Sequence, residues 1–429
     1  MQPIRYGSQG LWVQYVQFAL RRAGQETGEV DGIFGRRTLH AVERFQAQNG
    51  IASDGIVGAL TWGALFPYLS GYTVVLPKET DTVQTISERF SIDAGVLLVA
   101  NPWLRQGVFS ERSVIVPLPF PVVTEEVVPS SFLVAVWMDG LEKRYPFLLR
   151  NSIGQSRLGR SIDALTVGTG NVPVLFNAAH HANEWITVTL VMKWLEEYLV
   201  SVTEDGSMEG FSARALFERT ELTLVPLVNP DGVDLVTGLF PSDDPTVLQA
   251  KALAARYPGI PFPNGWKANV AGVDLNLGYP ADWLTAREIK FRQGYTHPGP
   301  RDYVGIAPLS EPENQAMVRL AKRHPFSLSL SYHTQGAEIY WRFSDIEPKE
   351  GETIGKAFSV ASGYRLADAP SESSYAGFKD WMLLTFGRPS YTVEAGRGTN
   401  PLPLSDFSML LRENRGIFTK ALALAPKFP

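Results

Sequence analysis

The chain has 429 residues, 45% of them hydrophobic and 19% charged, with a net charge of −5 and no cysteine. That length exceeds a single compact core and fits two or three globular domains, while the composition speaks against disorder. The two signs of charge are interspersed, which argues against a nucleic-acid binder. The lack of cysteine excludes a disulfide scaffold, a thiolate nucleophile and a cysteine-ligated metal.

Residues 1–69 read as a small helical domain. Leu11, Val13, Val16, Phe18 and Leu20 suit a short helix, and Leu39, Val42 and Phe45 fall on one face of a second helix over 38–48. A turn repeats around these helices: Val30-Asp31-Gly32-Ile33-Phe34-Gly35, then Ser53-Asp54-Gly55-Ile56-Val57-Gly58. Asp-Gly favours tight turns, because Gly accepts positive φ and Asp bonds its own backbone. Thr38 and Thr61, which follow the two turns, are expected to cap the next helices. Met1–Gly10 lacks a basic start followed by an apolar stretch, so no signal peptide is visible there, and no apolar run is long enough to span a bilayer. Through Gly7-Ser8-Gln9-Gly10, the two Asp-Gly turns, Phe45-Gln46 and Thr61-Trp62, the segment resembles the peptidoglycan-binding domain-1 family.

Residues 71–118 read as a βααβ unit: a strand at Tyr72–Val75, helices over 82–90 and 92–100, and a closing strand over 113–117. Through Tyr72-Thr73-Val74, Asp81-Thr82-Val83, Ile86, Phe90, Ala100-Asn101 and Ile115-Val116-Pro117, the unit resembles a LysM glycan-binding module. Thr80 stands where that module usually has a Gly before its Asp-Thr pair. The Pro-rich stretch 119–129 reads as a semi-rigid linker. Residues 130–429 form the large domain, with strands expected over 172–176, 222–228, 327–332 and 391–394 and helices over 184–199 and 404–424. This alternation predicts an α/β architecture with a largely buried mixed sheet flanked by helices.

Histidine occurs six times, and two copies, His180 and His181, stand in succession just past the apolar strand that begins at Val172. Ligands bind at the carboxyl ends of strands in α/β sheets. His181 and Glu184 are three residues apart at the start of a helix, a spacing that brings an imidazole and a carboxylate to one side. His180 and Glu184, four apart, share a face equally well, so spacing alone leaves the choice of histidine open. His333 ends another apolar strand and completes a His2Glu set able to hold zinc with a fourth position left for water.

The large domain resembles the zinc metallocarboxypeptidases over about 290 residues, and within them the bacterial peptidases that cleave γ-D-glutamyl–diaminopimelate bonds in peptidoglycan stems. Five motifs carry the resemblance in order: His181-Ala182-Asn183-Glu184-Trp185, Asn229-Pro230-Asp231-Gly232, Asn264–Asn269 continuing to Gly272-Val273-Asp274-Leu275-Asn276, Ser331-Tyr332-His333-Thr334 and Thr392-Val393-Glu394. The resemblance implies one zinc ion per chain on His181, Glu184 and His333, which selects His181 over His180. It implies Glu394 as the residue that takes a proton from water and returns it to the leaving amine. It further implies that Lys267, where the family usually has Arg, supplies positive charge to the oxyanion, that Asp274 orients a zinc-bound histidine, that Tyr375 in Ser373–Gly377 closes over substrate, and that Asn276 belongs to the substrate-binding stretch. Ordinary carboxypeptidases read Asp-x-Asn-Arg and grip the C-terminal carboxylate with Asn and Arg. Here Leu277 replaces that Arg and cannot pair with a carboxylate. Arg301 and Arg397 are the candidates to read the extra carboxylates of a wall peptide. The expected protein is therefore a zinc-dependent peptidoglycan peptidase, wall- or spore-associated and outside the cytoplasm, tethered by its small modules to glycan. A general carboxypeptidase on ordinary peptides and an inactive wall-binding protein are the alternatives.

Overall fold

The computed structural model describes residues 3–106 and 112–428; residues 107–111, inside the expected LysM-like unit, lie outside the described residues. Two compact units result, one of residues 1–128 with 132–149 and the other of 129–131 with 150–429.

In the first unit, α1 (Leu11–Arg22), α2 (Arg36–Gln48) and α3 (Ala59–Ser70) bury Val13, Val16, Phe18, Leu20, Val42, Phe45 and Leu65. The two Asp-Gly turns are held by one device used twice. Gln17 Nε2 donates to Asp31 Oδ1 (2.9 Å), Ile33 O (3.2 Å) and Thr38 Oγ1 (3.2 Å), while its Oε1 accepts from Gly32 N (2.9 Å). Gln46 repeats this on Asp54 Oδ1 (2.9 Å), Ile56 O (3.0 Å), Thr61 Oγ1 (3.1 Å) and Gly55 N (3.0 Å). Thr38 and Thr61 therefore do not cap. The N-caps are Gly35 and Gly58, neither with a side-chain cap bond, because both threonine hydroxyls are engaged by the glutamines inside the first turn.

The βααβ unit follows as expected. β1 (Tyr72–Val75) pairs antiparallel with β2 (Val114–Pro117). α4 (Val83–Phe90) is capped by Thr82 in a reciprocal box with Thr85, and α5 (Ala94–Ala100) by Asp93. Ile86, Leu97, Leu104, Val114 and Val116 form its small core. The stretch expected as a linker is instead packed. Val122, Val123 and Val127 are buried, and Arg144 of α6 (Ser131–Arg144) donates to Leu118 O and Phe120 O, both at 2.8 Å. Its three valines remove apolar area from water, which the proline count alone does not reveal.

The second unit is built on an eight-stranded mixed sheet. Its strands are β3 (Leu149–Gln155), β4 (Ser161–Val167), β5 (Val172–Ala178), β8 (Thr220–Val225), β9 (Leu328–His333), β10 (Glu338–Tyr340), β11 (Arg365–Ala367) and β12 (Ser390–Glu394); a separate two-residue hairpin supplies β6 (Ser207–Met208) and β7 (Phe211–Ser212). The order is β11-β10-β12-β9-β5-β8-β4-β3, with β12, β9, β5 and β8 mutually parallel and β4 and β10 antiparallel to their neighbours β8 and β12. The parallel strands are largely buried on both faces, as interior strands of such a sheet are, even where serines and threonines alternate with their apolar residues. On one face, Phe176 and Tyr332 meet Trp194 of α7 (Ile186–Thr203) and Phe418 of the closing helix Phe407–Leu424, with centroids 4.5–5.5 Å apart. On the other, Leu175 packs with Val225, Met317, Phe378 and Trp381. Each fully buried ring or Leu contributes about 1.5–3 kcal/mol of transfer free energy. That packing fixes the strand ends, and β5, β9 and β12 deliver their last residues to the same edge. No helix among the described residues is long and apolar enough to cross a membrane.

Candidate active site

β5 ends at Ala178, and the chain then turns through Ala179, whose φ is 55°, to place His180 and His181 at the sheet edge. His181 precedes the short helical turn Ala182–Glu184. This loop is fixed from behind: Ala182 N donates to Lys267 O (2.9 Å), and Asn229 Nδ2 donates to His180 O (3.1 Å) and Ala268 O (3.2 Å). Gly232 lies so close to Asn229 that an added Cβ would stand 2.6 Å from its amide and 2.8 Å from Ala268 O. The Asn-Pro-Asp-Gly motif is thus a brace for the histidine loop.

His181, Glu184 and His333 come together as a buried group whose ligand atoms lie within 4.8 Å of one another. His181 Nδ1 is 3.0 Å from Glu184 Oε1, His333 Nδ1 is 3.0 Å from Glu184 Oε2, and the two Nδ1 atoms face each other at 3.1 Å. Zinc takes imidazole nitrogen at about 2.0–2.1 Å and carboxylate oxygen at about 2.0–2.2 Å, which sets tetrahedral ligand atoms roughly 3.3 Å apart. The separations found are close to that, and two imidazoles with one carboxylate are a zinc donor set, so the residues fit the ion.

His181 turns its other nitrogen to Asp274: Nε2 is 3.1 Å from Oδ1. Asp274 also accepts from Asn276 N on Oδ1 (3.2 Å) and from Asp302 N on Oδ2 (3.1 Å). An Nε2–H held by this carboxylate leaves Nδ1 as the bare nitrogen, the tautomer that a metal needs. Burial is the largest influence on the His181 ring and opposes its charge, as does Lys267, but Glu184 and Asp274 together push its pKa up to about 9. Burial opposes the Glu184 carboxylate too, and His181 and Lys267 hold it well below the usual range. His180 turns away: its Nε2 is 2.9 Å from Tyr279 Oη, and burial lowers its pKa well below the ordinary value. Of the two histidines, His181 is the one that faces Glu184 and His333.

Glu394 ends β12 directly opposite His333 in the parallel register of β12 and β9. It is not one of the metal group, and its carboxyl is pushed up by burial, a shift His333 opposes and Glu184 reinforces. Lys267 Nζ lies 3.1 Å from Glu184 Oε1. Burial, the largest influence, and the nearby Arg301 act against the Lys267 ammonium, yet Glu184, Glu394 and Asp274 together hold its pKa above the usual lysine value.

Asn276 uses its Oδ1 to accept from Phe378 N (3.0 Å). Tyr375 is half-buried against the cluster of Leu277, Trp283, Ala286, Val304 and Ala376, with its ring 6.1 Å from that of Phe343. Leu277 is 7% exposed and belongs to that apolar cluster. Arg301 joins the site, its charge acting on Lys267 and Asp274. Arg397 does not: its contacts are with Glu413 (3.3 Å) and the Tyr364 ring. Two further residues reach Glu184: Thr334, beside His333 in its motif, through its amide (3.3 Å to Oε2), and Asn400, which gave no sequence signal, through Nδ2 (3.4 Å to Oε1). They bond each other, Thr334 Oγ1 donating to Asn400 Oδ1 at 2.8 Å.

A buried His2Glu group backed by a carboxylate, with an unliganded glutamate on the adjoining strand, defines a zinc metallopeptidase. The chain belongs to the zinc carboxypeptidase family, whose model matches residues 134–415. Residues 9–65 match a peptidoglycan binding domain, which associates the chain with the cell wall. Gamma-D-glutamyl-L-diamino acid endopeptidase 1 of Lysinibacillus sphaericus is 43% identical over 284 residues, which cover 66% of this chain and 69% of that protein. Carboxypeptidase A of Helicoverpa armigera shares the fold, with a TM-score of 0.54 at 19% identity over 70% of this chain and 75% of that one. So does bovine thrombin-activatable fibrinolysis inhibitor in complex with tick carboxypeptidase inhibitor, at 0.51 and 18% over 70% and 98%.

Proposed function

We propose that the enzyme hydrolyses the γ-D-glutamyl–diamino acid amide bond of peptidoglycan stem peptides, with the helical module and the LysM-like unit holding it on the polymer. The observation that carries this reading is Leu277, buried in an apolar cluster where ordinary relatives place the arginine that grips a terminal α-carboxylate. The name of the Lysinibacillus sphaericus relative and the peptidoglycan binding domain support the same substrate. Tethering raises the local concentration of enzyme at the wall without demanding high affinity of either module.

Zinc on His181, Glu184 and His333 would supply a Lewis acid that polarises the amide carbonyl and acidifies water. Glu394 accepts the proton of the attacking water and returns it to the leaving amine. Lys267 places a positive charge where the oxyanion develops, as a point charge rather than a bidentate fork. Asp274 keeps His181 in the tautomer that presents Nδ1. Asn276, its carbonyl oxygen already engaged, offers the amide Nδ2 to substrate, and Tyr375 covers it. The test is digestion of defined muropeptides with fragments identified by mass, alongside ordinary peptides with free C-termini. Cleavage between D-glutamate and the diamino acid, abolished by chelation, is the expected result. Removal of C-terminal residues from ordinary peptides alone would overturn it.

A further inference from the structure

Lys290 and Asp302 form a buried ion pair that the chemistry above does not use. Lys290, in the helix Trp283–Arg292, is 6% exposed, and its Nζ lies 2.7 Å from Asp302 Oδ1. A buried ammonium is costly unless paired, and a leucine or methionine would fill the same helix position without that cost. Asp302 is unusual as well. It adopts a left-handed backbone with φ 65°, and its amide donates to Asp274 Oδ2 at 3.1 Å. Its loop is tied to the Lys267 segment, since Lys267 N and Ala268 N both donate to Pro300 O (2.7 and 3.0 Å).

The two oxygens of Asp302 are divided between two cations: Oδ1 takes Lys290, and Oδ2 accepts from Arg301 Nε at 2.6 Å. One carboxylate cannot neutralise both. Lys290 is buried with it, and Asp274, the other carboxylate acting on Arg301, is itself engaged by His181, so Arg301, whose side chain is 40% exposed, is the cation placed to meet a further anion. Among the described residues the two terminal nitrogens of Arg301 have no hydrogen-bond partner, and the guanidinium is held from its Nε edge. What remains is a fixed two-nitrogen fork beside Lys267, the geometry that takes a carboxylate bidentately.

We propose that Arg301 is the specificity-determining residue that binds a substrate carboxylate near the scissile bond, and that Lys290 and Asp302 are the positioning residues that hold it there. The ligand class is a peptide with a free carboxylate on the residue next to the cleaved amide. The inference rests on the peptidase reading above and deepens it. It also separates Arg301 from Arg397, which is engaged by Glu413.

The experiment compares two synthetic stem peptides that differ only at the diamino acid, where one bears a free carboxylate and the other a carboxamide. Wild-type enzyme should show a higher kcat/KM for the carboxylate. Arg301→Gln should shrink the ratio of the two by about tenfold or more, mainly through KM, as expected for loss of one charged bidentate contact. Lys290→Met and Asp302→Asn should shrink it in the same direction, and Lys290→Arg should restore it. A wild type that cleaves neither peptide would sink the proposed function itself. A wild type that cleaves both equally, or an Arg301→Gln enzyme that keeps the ratio, would overturn this inference and leave the peptidase reading standing. A positioning pair with only a structural role would lower both substrates alike and leave the ratio unchanged, which would refute that part.

Discussion

Replacing Asp274 by Asn tests how the site controls its own metal. Asp274 is an acceptor on both oxygens: Oδ1 faces His181 Nε2 (3.1 Å) and Asn276 N (3.2 Å), and Oδ2 faces Asp302 N (3.1 Å). Asparagine has one acceptor oxygen and one NH2. If the oxygen faces His181, the NH2 meets the amide of Asp302 donor to donor. If it faces Asp302, the NH2 donates to His181 Nε2, and the ring proton moves to Nδ1, where the metal should bind. Either arrangement loses a charge-assisted hydrogen bond of about 1.5–3 kcal/mol in a buried setting. That corresponds to a fall of roughly 10–100-fold in zinc affinity, the usual range for this kind of supporting carboxylate. Competitive titration of Asp274→Asn against a chelator of known affinity measures it directly, and kcat/KM under saturating zinc reports what remains. Zinc affinity within twofold of wild type would refute the reasoning, because the tautomer would then not depend on Asp274.

Glu394→Gln should lower kcat by about 10²–10⁴-fold while zinc content, measured by metal analysis, stays at one per chain. Gln46→Ala strips four hydrogen bonds and leaves the Gly55 amide buried without a partner. It should destabilise the first helical segment by about 2–3 kcal/mol, read as faster amide exchange along α2, and protection unchanged at Gly55 would sink the idea. Glu313 makes stability pH-dependent. Burial raises its carboxyl to about 7, with Asp231 and Glu311 adding to the shift and the Arg157 amide opposing it. The folded state then keeps a proton that the unfolded chain releases above its ordinary carboxylate pKa. This stabilisation is complete below that pKa and is lost as pH rises towards about 7, a loss of up to about 3 kcal/mol. Denaturant unfolding between pH 5 and 8 should show the slope in wild type and a flatter one in Glu313→Gln; equal slopes would refute it.

The parts of the site that the sequence displays are those where local chemistry and strand ends coincide. His181, His333 and Glu394 each stand at or just past an apolar run, and such runs are legible because interior parallel strands are buried on both faces. The edge strands were not legible for the converse reason. β3 carries Arg150, Asn151 and Ser152 and is largely exposed, and β10 and β11 are three residues each. Thr334 and Asn400 reach Glu184 only because chain segments far apart in sequence meet, and no local pattern reports that. Lys290 gives no signal either, since a lysine in a short helix reads as a solvated face. The threonines after the Asp-Gly turns had the residue type of a cap; Gln17 and Gln46, well upstream, had already engaged them.

The parallel register that sets Glu394 beside His333, with β9 in turn beside β5, also ties metal binding to the order of folding. Side chains alternate between faces along a strand, so a one-residue slip of β12 or β9 would send one partner to the opposite side of the sheet. The two ligand-bearing segments, 152 positions apart from His181 to His333, must therefore be aligned before any ion can be held, and a bound zinc certifies that β9 has docked beside β5 in its proper alignment.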